Sequence, residues 1–315
     1  VVLCTSGSTG FPKLVAIPEK AVIFNAKILD TFLNLKQYSD LKVLGIPPLF
    51  HAFGLNLCLF QAYYNQRECI CIDKKQEKIP DILKRLNQER AQVFLPLVPQ
   101  IIRSLDETSF PDLSGVSVTG GDGVLKSDLL KLKKIFPNIK HTIGYGMTEA
   151  GPAILHTSPS NFPGDFFIGQ PLPGIKVKVI DETLHFKSPG AYLYIFENGE
   201  WKKNQNQWIE TGDIVSKKPE GYYFVGRKKN IIKRNSEIIF PEQINQEIQN
   251  LLSFNCTSIV KEENGNVTFF ICEKFSSQKH FEITNALQKI PKIYRPSRIK
   301  FVDSKDLSGL GKICA

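Results

Sequence analysis

A chain of 315 residues can bury a large core, and its length suits one large domain with a small companion. With 42% hydrophobic and 23% charged residues its composition excludes a disordered or low-complexity chain. The formal charge of +9 favours anionic, phosphorylated ligands; it would suit weak nucleic-acid contact equally, yet no Arg/Lys block with interleaved aromatics supports that partner.

Val1 to Cys4 reads as a strand feeding a Ser/Gly loop. Lys20 to Ser39 reads as a helix with Val22, Ile23, Ala26, Leu29, Phe32 and Leu33 on one face. Val43-Leu-Gly-Ile is a short buried strand, followed by a Pro-rich turn and an apolar helix. The stretch from Val43 to Gln66 could span a bilayer by length, but Pro47-Pro48 and Asn56 argue for core instead. Helix and strand then alternate: Ile79 to Glu89 helical, Val93 to Leu97 and Ser117 to Thr119 extended, Leu125 to Ile135 helical, Thr142 to Tyr145 extended. Such alternation predicts a parallel sheet covered by helices.

After Gly151 the texture changes to short β segments, Val177 to Ile180, Tyr192 to Phe196 and Tyr222 to Val225, between Pro and Gly turns. A compact α+β tail follows, with a helix starting at Pro241 and carrying Ile244, Ile248, Leu251 and Leu252 as its buried stripe. Strands are expected at Thr257 to Val260 and Val267 to Cys272, and a helix near Glu282 to Gln288. The seven cysteines (Cys4, Cys58, Cys69, Cys71, Cys256, Cys272, Cys314) are an odd number set mostly among apolar neighbours. Cys69-Ile-Cys71 alternates as a strand would, with both thiols on one face and no His or second Cys pair nearby to complete a zinc site. Buried reduced thiols in a cytoplasmic protein are the reading.

Chemistry concentrates in a few runs. Cys4-Thr-Ser-Gly-Ser-Thr-Gly-Phe-Pro-Lys13 offers the hydroxyls of Thr5, Ser6, Ser8 and Thr9, backbone N–H groups around Gly7 and Gly10, and the Lys13 ammonium, all able to donate to phosphate oxygens. Its spacing is not that of the Walker loop, and a plain Ser/Gly surface loop would carry the same residues. Gly144-Tyr-Gly-Met-Thr-Glu149 follows a strand end. There Gly144 and Gly146 permit close approach of a flat ring, Tyr145 offers a stacking face, and Thr148 with Glu149 can hold Mg²⁺ between phosphates. Thr211-Gly-Asp213 places a carboxylate able to accept two sugar hydroxyls, with Arg227 in reach of the same sugar; in isolation it is an ordinary turn.

The ten residues Cys4 to Lys13 closely resemble the signature loop of the adenylate-forming superfamily, which includes acyl-CoA synthetases, luciferases and the adenylation domains of peptide synthetases. Six motifs occur in that family's order between residues 4 and 312, so the resemblance covers the whole chain. It implies a layered α/β N-terminal domain, present in part, with a small β-rich unit and a small α+β C-terminal domain. The domains are expected at 1–228, the β-rich subdomain at about 160–228, and a mobile domain at 229–315. Roughly a third of such an enzyme normally precedes the loop, and Val1 is not an initiator methionine, so the sequence is expected to be a fragment.

By resemblance, Glu149 binds the metal and Tyr145 lines the adenine pocket. Thr119-Gly-Gly-Asp122 looks like the Gly-Gly loop, with Gly121 and Asp122 lining the acyl and adenine sites. Asp213 grips the ribose, Arg227 assists, and Lys229 is the hinge, although a solvated basic turn reads the same way. Lys312, in Ser308-Gly-Leu-Gly-Lys-Ile, resembles the lysine that neutralises charge on the α-phosphate. The catalytic set is thus Lys312, Thr148, Glu149 and His51.

Pro47-Pro-Leu-Phe-His-Ala-Phe-Gly54 bears on the substrate. Amino-acid-activating relatives place an aspartate in this segment, whereas here His51, Ala52 and Phe53 leave no acid to pair with an ammonium, so a plain fatty or aryl acid fits. A packed core histidine remains the alternative for His51.

The resemblance implies ATP, Mg²⁺ and CoA, or carrier-protein phosphopantetheine, as cofactors. Expected partners are the acid and CoA or an acyl carrier protein, with no nucleic acid and no transmembrane segment. The activity implied is activation of a carboxylic acid to an acyl-adenylate and its transfer to a thiol. Alternatives are a carrier-protein loading ligase or a catalytically degenerate ligand-binding homologue. Departures from the pattern favour the last: Ser236 stands for a glycine, Gln243 and Asn245 for acids, and the segment between Tyr192 and Thr211 is shortened.

Overall fold

The computed structural model describes residues 1–5, 13–72, 77–157, 162–205, 207–234, 237–254 and 256–302. The chain divides into a large unit of Val1–Ile180, His185–Thr211 and Lys217–Tyr223, and a small unit of Asp181–Leu184, Gly212–Ser216 and the chain from Phe224 onward. No helix among the described residues is long and apolar enough to cross a membrane.

In the large unit β1 (Val2–Thr5) and β2 (Lys13–Ala16) flank the hydroxyl-rich run. Then α1 (Glu19–Phe32) buries Ala21, Val22, Asn25, Ala26, Leu29 and Asp30 on one stripe. It stops well short of Ser39 because Asn34 adopts a left-handed φ of 49°, which ends the helix and starts a separate 3₁₀ turn. Next come β3 (Leu41–Gly45), α2 (Ala52–Gly54) and α3 (Gln61–Tyr64), the two helices joined by a π-helical stretch, Leu55–Phe60. That run is only half core, since Phe50, Leu59 and Tyr63 are exposed. An ion pair between Arg67 and the buried Asp30 ties its end to α1.

The alternation then runs through β4 (Cys69–Cys71), α4 (Ile79–Gln88), β5 (Gln92–Leu97), α5 (Pro99–Ser104), β6 (Ser114–Thr119), α6 (Lys126–Ile135) and β7 (Ile139–Gly146). Strands β4, β3, β5, β6 and β7 lie side by side in that order, every pair parallel, as the alternation predicts. Ile82, Leu83 and Leu86 of α4, Ile102 of α5 and Leu132 and Ile135 of α6 close over Val93, Leu95 and Leu97 of β5. Each such side chain contributes roughly 1.5–3 kcal/mol by leaving water. Arg103 fixes α5 to α6 through two bonds of 2.9 Å to Asp128, whose carboxylate also accepts the Leu125 N–H at 2.9 Å and so caps α6.

Two further strands extend the sheet antiparallel, β8 (Ala153–His156) and β9 (Phe167–Pro171). The following strands are β10 (Lys176–Ile180), β11 (Thr183–Lys187), β12 (Tyr194–Glu197), β13 (Glu200–Lys203), β14 (Ile209–Lys218) and β15 (Gly221–Arg227). Of these, β12 and β13 join β1 and β2 in a four-stranded antiparallel sheet ordered β1-β2-β12-β13.

In the small unit, β16 (Ile232–Arg234) pairs with β17 (Glu237–Ile239), and α7 (Pro241–Leu251) starts at Pro241 as expected. A three-stranded sheet of β18 (Thr257–Glu263), β19 (Asn266–Cys272) and β20 (Arg298–Phe301) packs with α8 (Ser277–Lys289). Ile244, Ile248, Val260, Phe269, Ile283 and Leu287 form its core. Cys4 and Cys71 are exposed, which corrects the expectation of buried thiols.

Candidate active site

Because β3, β6 and β7 are parallel, their C-terminal ends share one edge of the sheet, where open α/β sheets place ligands. Three segments of interest emerge there: Pro47 to Gly54 beyond β3, Thr119 to Asp122 at the end of β6, and Gly144 to Glu149 on and after β7. They meet at Gly120. A Cβ at that position would stand 2.6 Å from the Gly144 carbonyl oxygen and 3.0 Å from the Phe53 ring. Gly121 has φ +85°, a conformation side chains rarely adopt, and a Cβ on Gly146 would collide with the Pro152 carbonyl oxygen at 1.5 Å. Glycines are thus required by backbone approach at this edge.

Tyr145, Thr148 and Glu149 are half-buried, Asp122 is exposed, and the Asp122 carboxylate accepts the Gly123 N–H at 2.7 Å. His51 is exposed at the start of α2, its ring 4.5 Å from Phe50, which rules out the packed core histidine.

Thr148–Ala150 forms a 3₁₀ turn held from behind. The buried Asn25 of α1 donates through Nδ2 to the carbonyls of Ala21 (2.9 Å), Ala150 (3.4 Å) and Gly190 (3.3 Å). Tyr192 N–H donates to the Glu149 carbonyl at 3.0 Å. The Tyr192 phenol is raised by burial first and then by the carboxylates of Glu149 and Glu197. Glu197, at the end of β12, lies 2.6 Å from the Lys13 ammonium, and that hydrogen bond is the main cause holding its carboxyl below the usual range. Lys13, Glu197, Tyr192 and Glu149 therefore form one polar series within the large unit.

Thr5 is half-buried and sits opposite Lys13 in the β1–β2 register. Ser6, Gly7, Ser8, Thr9, Gly10 and Lys312 lie outside the described residues, as does Ser236. Within the small unit Asp213 is buried, and Arg227 Nε donates to its Oδ1 at 3.0 Å. Lys229 is exposed in the turn Lys228–Asn230.

Sequence reasoning missed Asn25, Tyr192 and Glu197. Asn25 did leave a signal, an amide between Val22 and Ala26 on a largely apolar stripe. Glu197 left none, because only strand pairing brings it to Lys13. Behind Gly144, His156 is fully buried; its Nδ1 is 3.0 Å from the Thr157 carbonyl oxygen, and burial lowers its pKa to about 4. Among the described residues no three His, Cys, Asp or Glu side chains are grouped to hold a metal ion.

The chain is similar to several known proteins. The chain is 28% identical over 264 residues to the acyl-CoA ligase easD of Emericella nidulans, covering 76% of this chain and 46% of that protein. It is 26% identical over 328 residues to the 2-succinylbenzoate–CoA ligase of Lactococcus lactis, covering 99% of this chain and 69% of that one. The solved O-succinylbenzoate coenzyme A synthetase of Bacillus subtilis, in complex with ATP and magnesium ion, shares the fold with a TM-score of 0.75 at 20% identity, over 96% of this chain and 66% of that one. The chain thus spans from about half to two thirds of the length of these relatives. Residues 1–195 match the family model for AMP-binding enzymes, and the chain belongs to that family.

Proposed function

We propose that the protein activates a carboxylic acid, fatty or aryl, with ATP to give an acyl-adenylate and pyrophosphate, then passes the acyl group to a thiol, most simply that of CoA. Its place of action is the cytoplasm. The observation that carries the reading is the meeting of three candidate segments at Gly120, together with the polar series that links Lys13, Glu197 and Tyr192 to Glu149. Family membership supports it, as do relatives named for acid–CoA ligation.

In this reading the loop from Thr5 to Lys13, with Ser6, Gly7, Ser8, Thr9 and Gly10, donates hydrogen bonds to the triphosphate. Tyr145 stacks on the adenine between Gly144 and Gly146, while Gly121 and Asp122 line the pocket. Glu149 and Thr148 would hold Mg²⁺, whose charge offsets that of the phosphates. Asp213 accepts the ribose hydroxyls, and Arg227 orients that carboxylate through the bond it already makes. His51 flanks the acid, Lys229 is the pivot between domains divided at 228 and 229, and Lys312 stabilises negative charge developing on the α-phosphate.

The lack of any carboxylate in Pro47 to Gly54 supports an acid without an α-ammonium. Acid-dependent exchange of pyrophosphate into ATP tests the proposal. Exchange with aliphatic or aryl acids and not with amino acids is expected. ATP binding with no exchange for any acid would favour the degenerate binding homologue instead. Transfer to a carrier-protein phosphopantetheine rather than CoA shares the first step and is separated by supplying each acceptor in turn.

A further inference from the structure

Cys69 and Cys71 have no part in the proposed chemistry. They lie on β4, which ends its sheet and pairs with β3. The two-residue period of a strand puts both thiols on one face, and the sulfurs are 3.9 Å apart. Cys71 is exposed and Cys69 half-buried, so the pair is open to solvent. Across the strand pair, Gly45 stands opposite Cys71, and a Cβ at Gly45 would lie 3.5 Å from the Cys71 Cα. The same Cβ would stand 3.3 Å from the Ile70 carbonyl oxygen and 3.8 Å from Leu49 Cδ2, so glycine there lets β3 and β4 pair closely.

Two sulfurs each about 2.3 Å from one metal span the observed 3.9 Å when the angle at the metal is about 116°, close to tetrahedral. A disulfide would need the sulfurs to close to about 2.05 Å, roughly half their present separation. The spacing is that of an S–H···S contact in which either sulfur can donate, too long for a disulfide and within the span of a bridging ion.

We infer that Cys69 and Cys71 form a dithiolate site for a thiophilic d¹⁰ cation of the zinc and cadmium type, its outer positions filled by water or a soluble thiol. Two S–H bonds break, two sulfur–metal bonds form, and two protons pass to solvent with no change of oxidation state. Burial, and then the neighbouring Cys71, push the Cys69 thiol up to about 12. A divalent ion bound by the sulfurs favours the thiolate. Cys58 lies on the π-helical stretch, but it is buried and its Sγ–H donates to the Leu44 carbonyl at 3.5 Å, which leaves it outside the ligand set.

The test is a Cd²⁺ titration of the reduced protein, followed by the ultraviolet thiolate-to-cadmium charge-transfer band. One Cd²⁺ per chain is expected, with affinity at least about tenfold weaker in Cys69→Ser and in Cys71→Ser and unchanged in Cys4→Ser and Cys58→Ser. Undiminished binding in either strand variant overturns the site, as does loss in Cys4→Ser. An equal loss in Cys58→Ser overturns the two-ligand set. Should a strand variant fail to fold, phenylarsine oxide on the native protein serves instead: it should block Cd²⁺ and map to the peptide carrying both cysteines. Mapping elsewhere counts equally against the site.

Discussion

Asn25→Asp changes one amide nitrogen for oxygen at a side chain that is 1% exposed. The native Nδ2 faces three carbonyl oxygens at 2.9 to 3.4 Å, belonging to Ala21, Ala150 and Gly190. An aspartate would turn an acceptor toward all three and bring a charge to a position whose hydrogen-bond partners among the described residues are all carbonyls. Two of those carbonyls lie on turns that carry or flank Glu149, and each unsatisfied buried acceptor costs about 1–3 kcal/mol. With the uncompensated charge the sum is about 3–5 kcal/mol.

Asn25→Ala should cost less, about 2 kcal/mol, because it also removes Oδ1, a buried acceptor with no partner among the described residues. Equilibrium urea unfolding at neutral pH measures both. A further consequence is functional: Mg·ATP affinity should fall in Asn25→Ala at temperatures where the variant is fully folded, since the Thr148–Ala150 turn loses its brace. A cost below about 1 kcal/mol for the aspartate, or a smaller cost than for alanine, would refute the reasoning.

The Lys13–Glu197 pair predicts that Glu197→Gln, which frees the ammonium for phosphate, tightens ATP binding up to about fivefold at low salt, with the gain fading at high salt. Calorimetric titration at two ionic strengths reads this, and an unchanged affinity would mean that Lys13 does not reach the phosphates. Asp213→Ala should weaken ATP binding before it affects the thiol step, again visible by titration. Lys312→Ala should slow adenylation about 10² to 10³-fold while sparing thioester formation from supplied acyl-adenylate; equal loss of both half-reactions contradicts the division of labour.

Stability should also depend on pH through His141 and His156. Burial holds both rings neutral in the folded protein, with pKa values of about 4 against the ordinary 6.5. The unfolded chain therefore binds more protons between these values, so their contribution is complete above about pH 6.5 and is lost as pH falls toward about 4. Urea midpoints across this range should drop with pH, and His156→Leu should flatten the slope.

The parallel sheet was legible because its strands are short apolar runs separated by helical periods, as in Val93 to Leu97 before the Leu125 to Ile135 pattern. The glycine-rich segments were legible too, since Gly120, Gly121 and Gly146 are demanded by backbone approach or by a positive φ. Less visible were features made by distant pairing. Glu197 reaches Lys13 only because β12 adds to β2, and Asn25 acts on turns more than a hundred residues away. Helix α1 was read too long because its apolar pattern outlasts the left-handed Asn34 that stops it. The short helix Pro99–Ser104 was overlooked although Pro99 marks its start. Likewise β20 gains its place through pairing with β19 rather than through any strong period of its own.

Oxygen transfer tests the central claim most directly. A carboxylic acid labelled with heavy oxygen, incubated with the protein, Mg·ATP and CoA, should deliver one labelled atom to the phosphate of AMP and none to pyrophosphate, because the carboxylate itself attacks the α-phosphorus. Turnover of the labelled acid that yields unlabelled AMP, or that yields ADP and labelled phosphate, would contradict the account.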